Sequence, residues 1–253
     1  MVAINFLRPA FAGAAAVLVL LGAGLVAGTG TTADDAYAAG APVTSPPTQA
    51  SAASPAPAKT LSPVGALFAN GSHFCTASVV HSEAGDLVLT AAHCVRDGMS
   101  FAPAYHDGVA PLGMWTVTGV AVADGWTSSA DPDLDFAFLT VQQPGNTASL
   151  ESLTGANVLG TGRGFDHMIT LTGYPDTTDS PVVCTGATTR SDTYQLRVAC
   201  PGFPDGTSGG PWVTDGVVIG VIGGYELGGD TPDVSYSAYF DDDIAKLYAS
   251  ATG

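Results

Sequence analysis

Past Leu61 the apolar residues of this chain come in short, β-branched runs that turn residues interrupt. Leu87–Thr90, Val117–Val122, Phe136–Val141, Ile169–Thr172, Gln195–Ala199 and Val217–Ile222 are such runs, with Gly, Pro, Asp and Asn between them. Runs of this length and composition build the strands of a sandwich or barrel. A helical period occurs only near the end, where Asp241, Asp242 and Asp243 precede Ile244–Ala249. Acidic residues suit the N-terminal end of a helix, whose free N–H groups carry partial positive charge. The expected fold is all-β with a short C-terminal helix, and no internal repeat divides it.

The first 60 residues have a different character. Arg8 precedes an uncharged apolar stretch, Ala10–Gly28, and Ala36-Tyr37-Ala38 offers a small-x-small cleavage site. This is the layout of a secretory signal peptide over residues 1–38, with a retained membrane anchor as the alternative. Both imply export, and the expected location is extracellular. Residues 39–60 are dominated by Ala, Pro, Ser and Thr and lack either periodicity. Such a segment cannot bury enough apolar surface to offset its ordering, and it reads as a tether or short pro-segment. Removing residues 1–60 takes away Arg8, Lys59, Asp34 and Asp35, so the net charge of −16 is unchanged. A surface this acidic repels phosphate backbones and argues against nucleic acid as a partner.

Four cysteines allow three pairings. Cys75 with Cys94 and Cys184 with Cys200 are close in sequence, and an exported chain favours two local disulfides. The rival is a zinc site of His73, Cys75, His93 and Cys94, whose spacing is poor for structural zinc.

Gly206-Thr207-Ser208-Gly209-Gly210 fits G-x-S-x-G, which occurs in more than one class of serine hydrolase. In the α/β-hydrolases the order along the chain is Ser, acid, His. All five histidines (His73, His81, His93, His106 and His167) precede Ser208, so no downstream base remains. The strand runs also do not alternate with helices, which that architecture requires. His, then Asp, then Ser is the order that remains.

Three segments now carry a resemblance. "LTAAHC" at Leu89–Cys94, "DLDFAFL" at Asp133–Leu139 and "GTSGGP" at Gly206–Pro211 resemble the histidine, aspartate and serine motifs of the secreted bacterial trypsin-like serine proteases. "LTGYP" at Leu171–Pro175 is similar to a segment of their glutamyl-endopeptidase-like branch. The resemblance spans Leu61–Gly253. It implies a chymotrypsin-like pair of six-stranded antiparallel β-barrels, over residues 61–150 and 151–253, the second including the terminal helix. It further implies a cofactor-free and metal-free serine endopeptidase, acting as a monomer on a protein or peptide, with a protein inhibitor as a further partner. Ser208 would be the nucleophile, His93 the base and Asp135 the orienting acid, with Asp133 as the rival acid; Gly206 and Ser208 would supply the oxyanion-hole amides. The chemistry needs these types: a serine hydroxyl is a weak nucleophile, imidazole takes its proton near neutral pH, and a carboxylate holds the imidazole in one tautomer.

Thr207 departs from the animal digestive members, which carry an Asp there that binds a freed N-terminus on activation. That switch is expected to be lacking, with an oxyanion hole that is either preformed or set by other contacts. The substrate pocket implied by the resemblance is walled by Gly202, Phe203, Gly223, Gly224 and Tyr225. Gly202 stands where trypsins carry an Asp, while Asp233 in "TPDVSYS" either reaches the pocket from the opposite wall, favouring Arg or Lys substrates, or is an exposed turn residue. Two alternatives remain: a non-catalytic binding protein on the same fold, set against the presence of all three triad side chains, and a metal-dependent hydrolase using Asp131, Asp133 and Asp135, which lack the Gly and Glu of a calcium loop.

Overall fold

The computed structural model describes residues 61–253. The expected signal peptide and tether lie outside the described residues. Among those described, no helix is long and apolar enough to cross a membrane.

Six antiparallel strands close into the first barrel, in the order β1-β2-β3-β6-β5-β4. They are β1 (Val64–Ala69), β2 (Ser72–Val79), β3 (Leu87–Thr90), β4 (Ser100–Pro103), β5 (Trp115–Val122) and β6 (Ala137–Gln142). Leu67, Leu89, Phe101, Phe138 and Leu139 on these strands are fully or almost fully buried. Phe138 and Leu139 adjoin on β6 and so point to opposite faces of the sheet, and both faces of that strand are buried.

The second half is a seven-stranded sheet rather than a second six-stranded barrel. It contains β7 (Val158–Leu159), β8 (Met168–Gly173), β9 (Val182–Asp192), β10 (Gln195–Ala199), β11 (Pro211–Thr214), β12 (Val217–Val221) and β13 (Val234–Ala238). Their order is β13-β10-β9-β8-β11-β12-β7, with β7 parallel to β12. The sheet curls until β12 approaches β13, but no continuous ladder seals it. Ser237 Oγ takes the Val221 N–H at 3.0 Å, in place of a backbone carbonyl, and the Gly223 N–H reaches the Tyr236 carbonyl at 3.0 Å. A side-chain hydroxyl thus occupies the seam where a backbone pair would close the barrel.

Short helices α1 (Asp124–Ser129) and α2 (Leu150–Thr154) precede the terminal α3 (Asp242–Thr252). The Asp241 side chain caps α3 by accepting the Asp243 N–H at 2.8 Å. The helix was expected to group with the second half. It packs instead on the first barrel, where Ile244 joins the core with Phe240 and Tyr248 meets Phe138 edge-on at 5.6 Å. Its apolar stripe finds the open flank of β5 and β6.

Candidate active site

Pairing of β3 with β6 brings two distant segments together. Thr90 lies opposite Ala137, so the chain just after β3 meets the chain just before β6. His93 sits in the single 3₁₀ turn Ala92–Cys94, and Asp135 follows the turn Pro132–Leu134. His93 Nδ1 is 2.7 Å from Asp135 Oδ2, and the His93 N–H donates to Asp135 Oδ1 at 2.9 Å. The Gly224 N–H donates to Oδ2 at 2.9 Å. Asp135 is fully buried, and these three contacts offset its removal from water. Asp133, the rival acid, turns away and accepts from Gln195 Nε2 at 2.6 Å.

Two disulfides are present, Cys75–Cys94 and Cys184–Cys200. The first ties the His93 turn to β2. Its two sulfurs are bonded to each other and are not available as thiolates for zinc. The acids of the supposed cation loop likewise have separate partners: Asp131 caps its turn, Asp133 meets Gln195 and Asp135 meets His93.

Ser208 lies in the turn before β11 and lines a cleft of about 550 Å³ together with His93 and Gly206. Among the described residues no hydrogen bond joins Ser208 to His93; such contacts commonly tighten only when substrate binds. The turn depends on two glycines in left-handed backbone. A Cβ on Gly206 (φ +89°) would lie 2.7 Å from the Tyr174 carbonyl, and one on Gly209 (φ +79°) would run into Thr90 Oγ1 and the Thr76 carbonyl. Within the described residues the N–H groups of Gly206 and Ser208 make no hydrogen bond, while Thr207 is buried and its hydroxyl donates to the Pro204 carbonyl at 2.6 Å.

Phe203 lines the cleft, whereas Gly202, Gly223, Gly224, Tyr225 and Asp233 do not. Gly223 and Gly224 pack against Asp135 instead, and Tyr225 stands half-exposed against Tyr236. Asp233 is an exposed turn residue whose carbonyl accepts the Cys200 N–H at 3.0 Å, so its side chain is not a wall of the cleft. The acids that do line the cleft are Asp205, Glu226 and Asp230, with Arg96 as the one cation among the lining residues. Arg96 lies over the Phe74 ring at 3.5 Å. Glu226 and Leu227 both have left-handed backbone (φ 49° and 54°), which is costly for residues with a Cβ. Glycines on both sides of "YEL" were the available signal for this wall.

The family model for trypsin matches residues 53–241. The chain belongs to the trypsin family. This trypsin-family serine protease is similar in structure to the protease Anisep from Arthrobacter nicotinovorans, at 25% identity and a TM-score of 0.68, covering 77% of this chain and 97% of that one. A thermostable serine protease AL20 from an extremophilic microorganism matches at 24% identity and a TM-score of 0.66, covering 75% and 96%. A Glu endopeptidase solved in complex with MPD shares the fold at 18% identity, with a TM-score of 0.62 and coverage of 75% and 90%. No curated protein matches the chain.

Proposed function

We propose that this trypsin-family serine protease is an exported endopeptidase in which Ser208, His93 and Asp135 act as a triad. The observation that carries the assignment is the His93–Asp135 contact of 2.7 Å, made by a fully buried carboxylate at the edge of the cleft that Ser208 lines. His93 Nε2 takes the Ser208 hydroxyl proton as Oγ attacks the substrate carbonyl. The carbonyl oxygen gains negative charge and accepts hydrogen bonds from the Gly206 and Ser208 amides. Nε2 returns the proton to the leaving amine, an acyl-enzyme forms on Ser208, and a water activated by His93 releases the acid. Throughout, Asp135 accepts the Nδ1 proton's hydrogen bond and stabilises the imidazolium.

A preference for Arg or Lys on the acyl side of the cleaved bond is part of this reading. It is supported by Asp205, Glu226 and Asp230 in the cleft and by the overall charge of −16, and not by Asp233. Export is supported by residues 1–38.

The test is the intact mass of the secreted protein before and after a fluorophosphonate, with peptide mapping. One adduct on Ser208, abolished by His93→Ala, is the expected result. Folded protein without an adduct would overturn the triad and favour a binding module. N-terminal sequencing of the same sample should begin after Ala38; an intact leader in the membrane fraction would contradict release.

A further inference from the structure

The loop carrying Ser208 turns four consecutive carbonyls into hydrogen bonds. The Asp205 carbonyl accepts the Asp176 N–H at 2.9 Å, and the Thr207 carbonyl accepts the Gly210 N–H at 2.9 Å. The Gly206 carbonyl accepts the Thr76 hydroxyl at 3.1 Å, and the Ser208 carbonyl accepts the Thr76 N–H at 2.7 Å. The N–H of a trans peptide points opposite its carbonyl, so fixing each carbonyl also fixes the next amide. Asp176 therefore sets the Gly206 N–H and Gly210 sets the Ser208 N–H. The peptide between them, Gly206–Thr207, is held on both sides: its N–H donates to the Pro204 carbonyl at 3.2 Å, and its carbonyl accepts from a side chain in the other half of the molecule.

That side chain uses both of its hydrogen-bonding capacities. Thr76 is fully buried on β2, and its Oγ1 accepts the Tyr174 N–H at 2.8 Å. A hydroxyl has one proton to give, and here it goes to the Gly206 carbonyl. The Thr76 carbonyl in turn accepts the Thr90 hydroxyl at 2.8 Å, three residues before His93. One residue thus joins the Ser208 loop, the Tyr174 segment and the strand leading to His93. Gly206, at φ +89°, has no Cβ to resist rotation of its peptides, so hydrogen-bond partners restrain them, with Thr76 holding the carbonyl and Pro204 the amide of the peptide that follows. Thr207 cannot form an ion pair with a chain terminus, so no charge supplies it.

We infer that Thr76 is a positioning residue that keeps the oxyanion loop assembled, given that Ser208 is the nucleophile. Thr76→Val keeps the shape but removes the donor to Gly206 and the acceptor for Tyr174; Thr76→Ser keeps both. Loss of a whole oxyanion donor costs about 10²–10³ in kcat, and loosening one should cost about 10–100-fold. The expected result for Thr76→Val is a fall of that size in kcat with KM little changed, and an equal loss of affinity for a peptide boronate that mimics the tetrahedral state. Thr76→Ser should restore both. Thr76→Cys, a weaker donor of similar volume, should fall between them and serves as the second variant where Val impairs folding. A folded Thr76→Val or Thr76→Cys enzyme with wild-type kcat would overturn the role. So would Ser and Val variants that lose kcat equally. Wild-type protein that takes no fluorophosphonate would instead overturn the triad, which separates the two failures.

Discussion

Asp135 holds His93 twice, accepting its ring nitrogen at 2.7 Å and its own backbone N–H at 2.9 Å. The two oxygens of one carboxylate therefore set both the position and the rotation of the imidazole. Asp135→Asn should break this arrangement, because an amide has one acceptor oxygen where three donors converge. The expected outcome is a fall in kcat of about 10⁴ as the imidazole takes the wrong tautomer, with the fold retained. Steady-state kinetics beside a thermal melt would check it; a kcat within tenfold of wild type would contradict the assignment.

The two disulfides should separate stability from activity. Their sequence separations are 19 and 16 residues, and on the chain-entropy model each contributes about 3 kcal/mol. Paired Ser variants at Cys184 and Cys200 should lower the denaturation midpoint and leave kcat unchanged. The Cys75/Cys94 pair should lower both, because Cys94 adjoins His93 and Cys75 adjoins Thr76. A displacement of about 1 Å in such a site can cost about 10²-fold. Denaturant titration and kinetics below the midpoint provide the comparison.

Alkaline pH should destabilise the protein through Tyr105. Its hydroxyl donates to Asp179 Oδ1 at 2.6 Å, and its pKa is pushed from 10.0 up to about 12 by that bond, then by burial and by repulsion from the carboxylate. Burial, with Tyr105 nearby, raises Tyr174 as well. The folded state holds the Tyr105 proton more tightly than the unfolded state, so its stabilisation is complete below pH 10 and is lost as pH rises from 10 through about 12. Tyr105→Phe should lose about 1 kcal/mol at pH 8, with the hydrogen bond, and show a shallower decline over that window. Denaturation at a series of pH values measures both.

Specificity should follow the acids that line the cleft. Glu226→Gln and Asp230→Asn should each lower the preference for Arg or Lys over an apolar residue by about fivefold, the equivalent of about 1 kcal/mol for a charge pair near water. Asp233→Gly should leave the profile unchanged, since its side chain does not line the cleft. Cleavage of a peptide library by the three variants decides between the two walls.

Much of the fold and site was legible because it is written in local patterns. The runs at 87–90 and 195–199 coincide with β3 and β10; β3 is buried at all four positions, as a short continuous apolar run at the centre of a core should be. The short cysteine separations are matched by the bonds formed. The order of His93, Asp135 and Ser208 along the chain sufficed to exclude a downstream base. The pocket was not legible in the same way. Which of Asp230 and Asp233 faces the cleft depends on a few residues of irregular backbone after Gly224, where two left-handed non-glycine residues occur together. No periodicity describes such a segment.

By itself the sequence determined the strand-forming segments, the helix with its acidic start, the cysteine pairs and the three motif residues, all through interactions between near neighbours or through order along the chain. Only the tertiary structure decided that the second half would curl without closing, that α3 would return to the first barrel, and that Thr76 would hold the Ser208 loop. The physical reason is separation: Thr76 meets Gly206 across 130 residues and Tyr174 across 98. A buried hydroxyl acquires its partners only after both halves have packed around it.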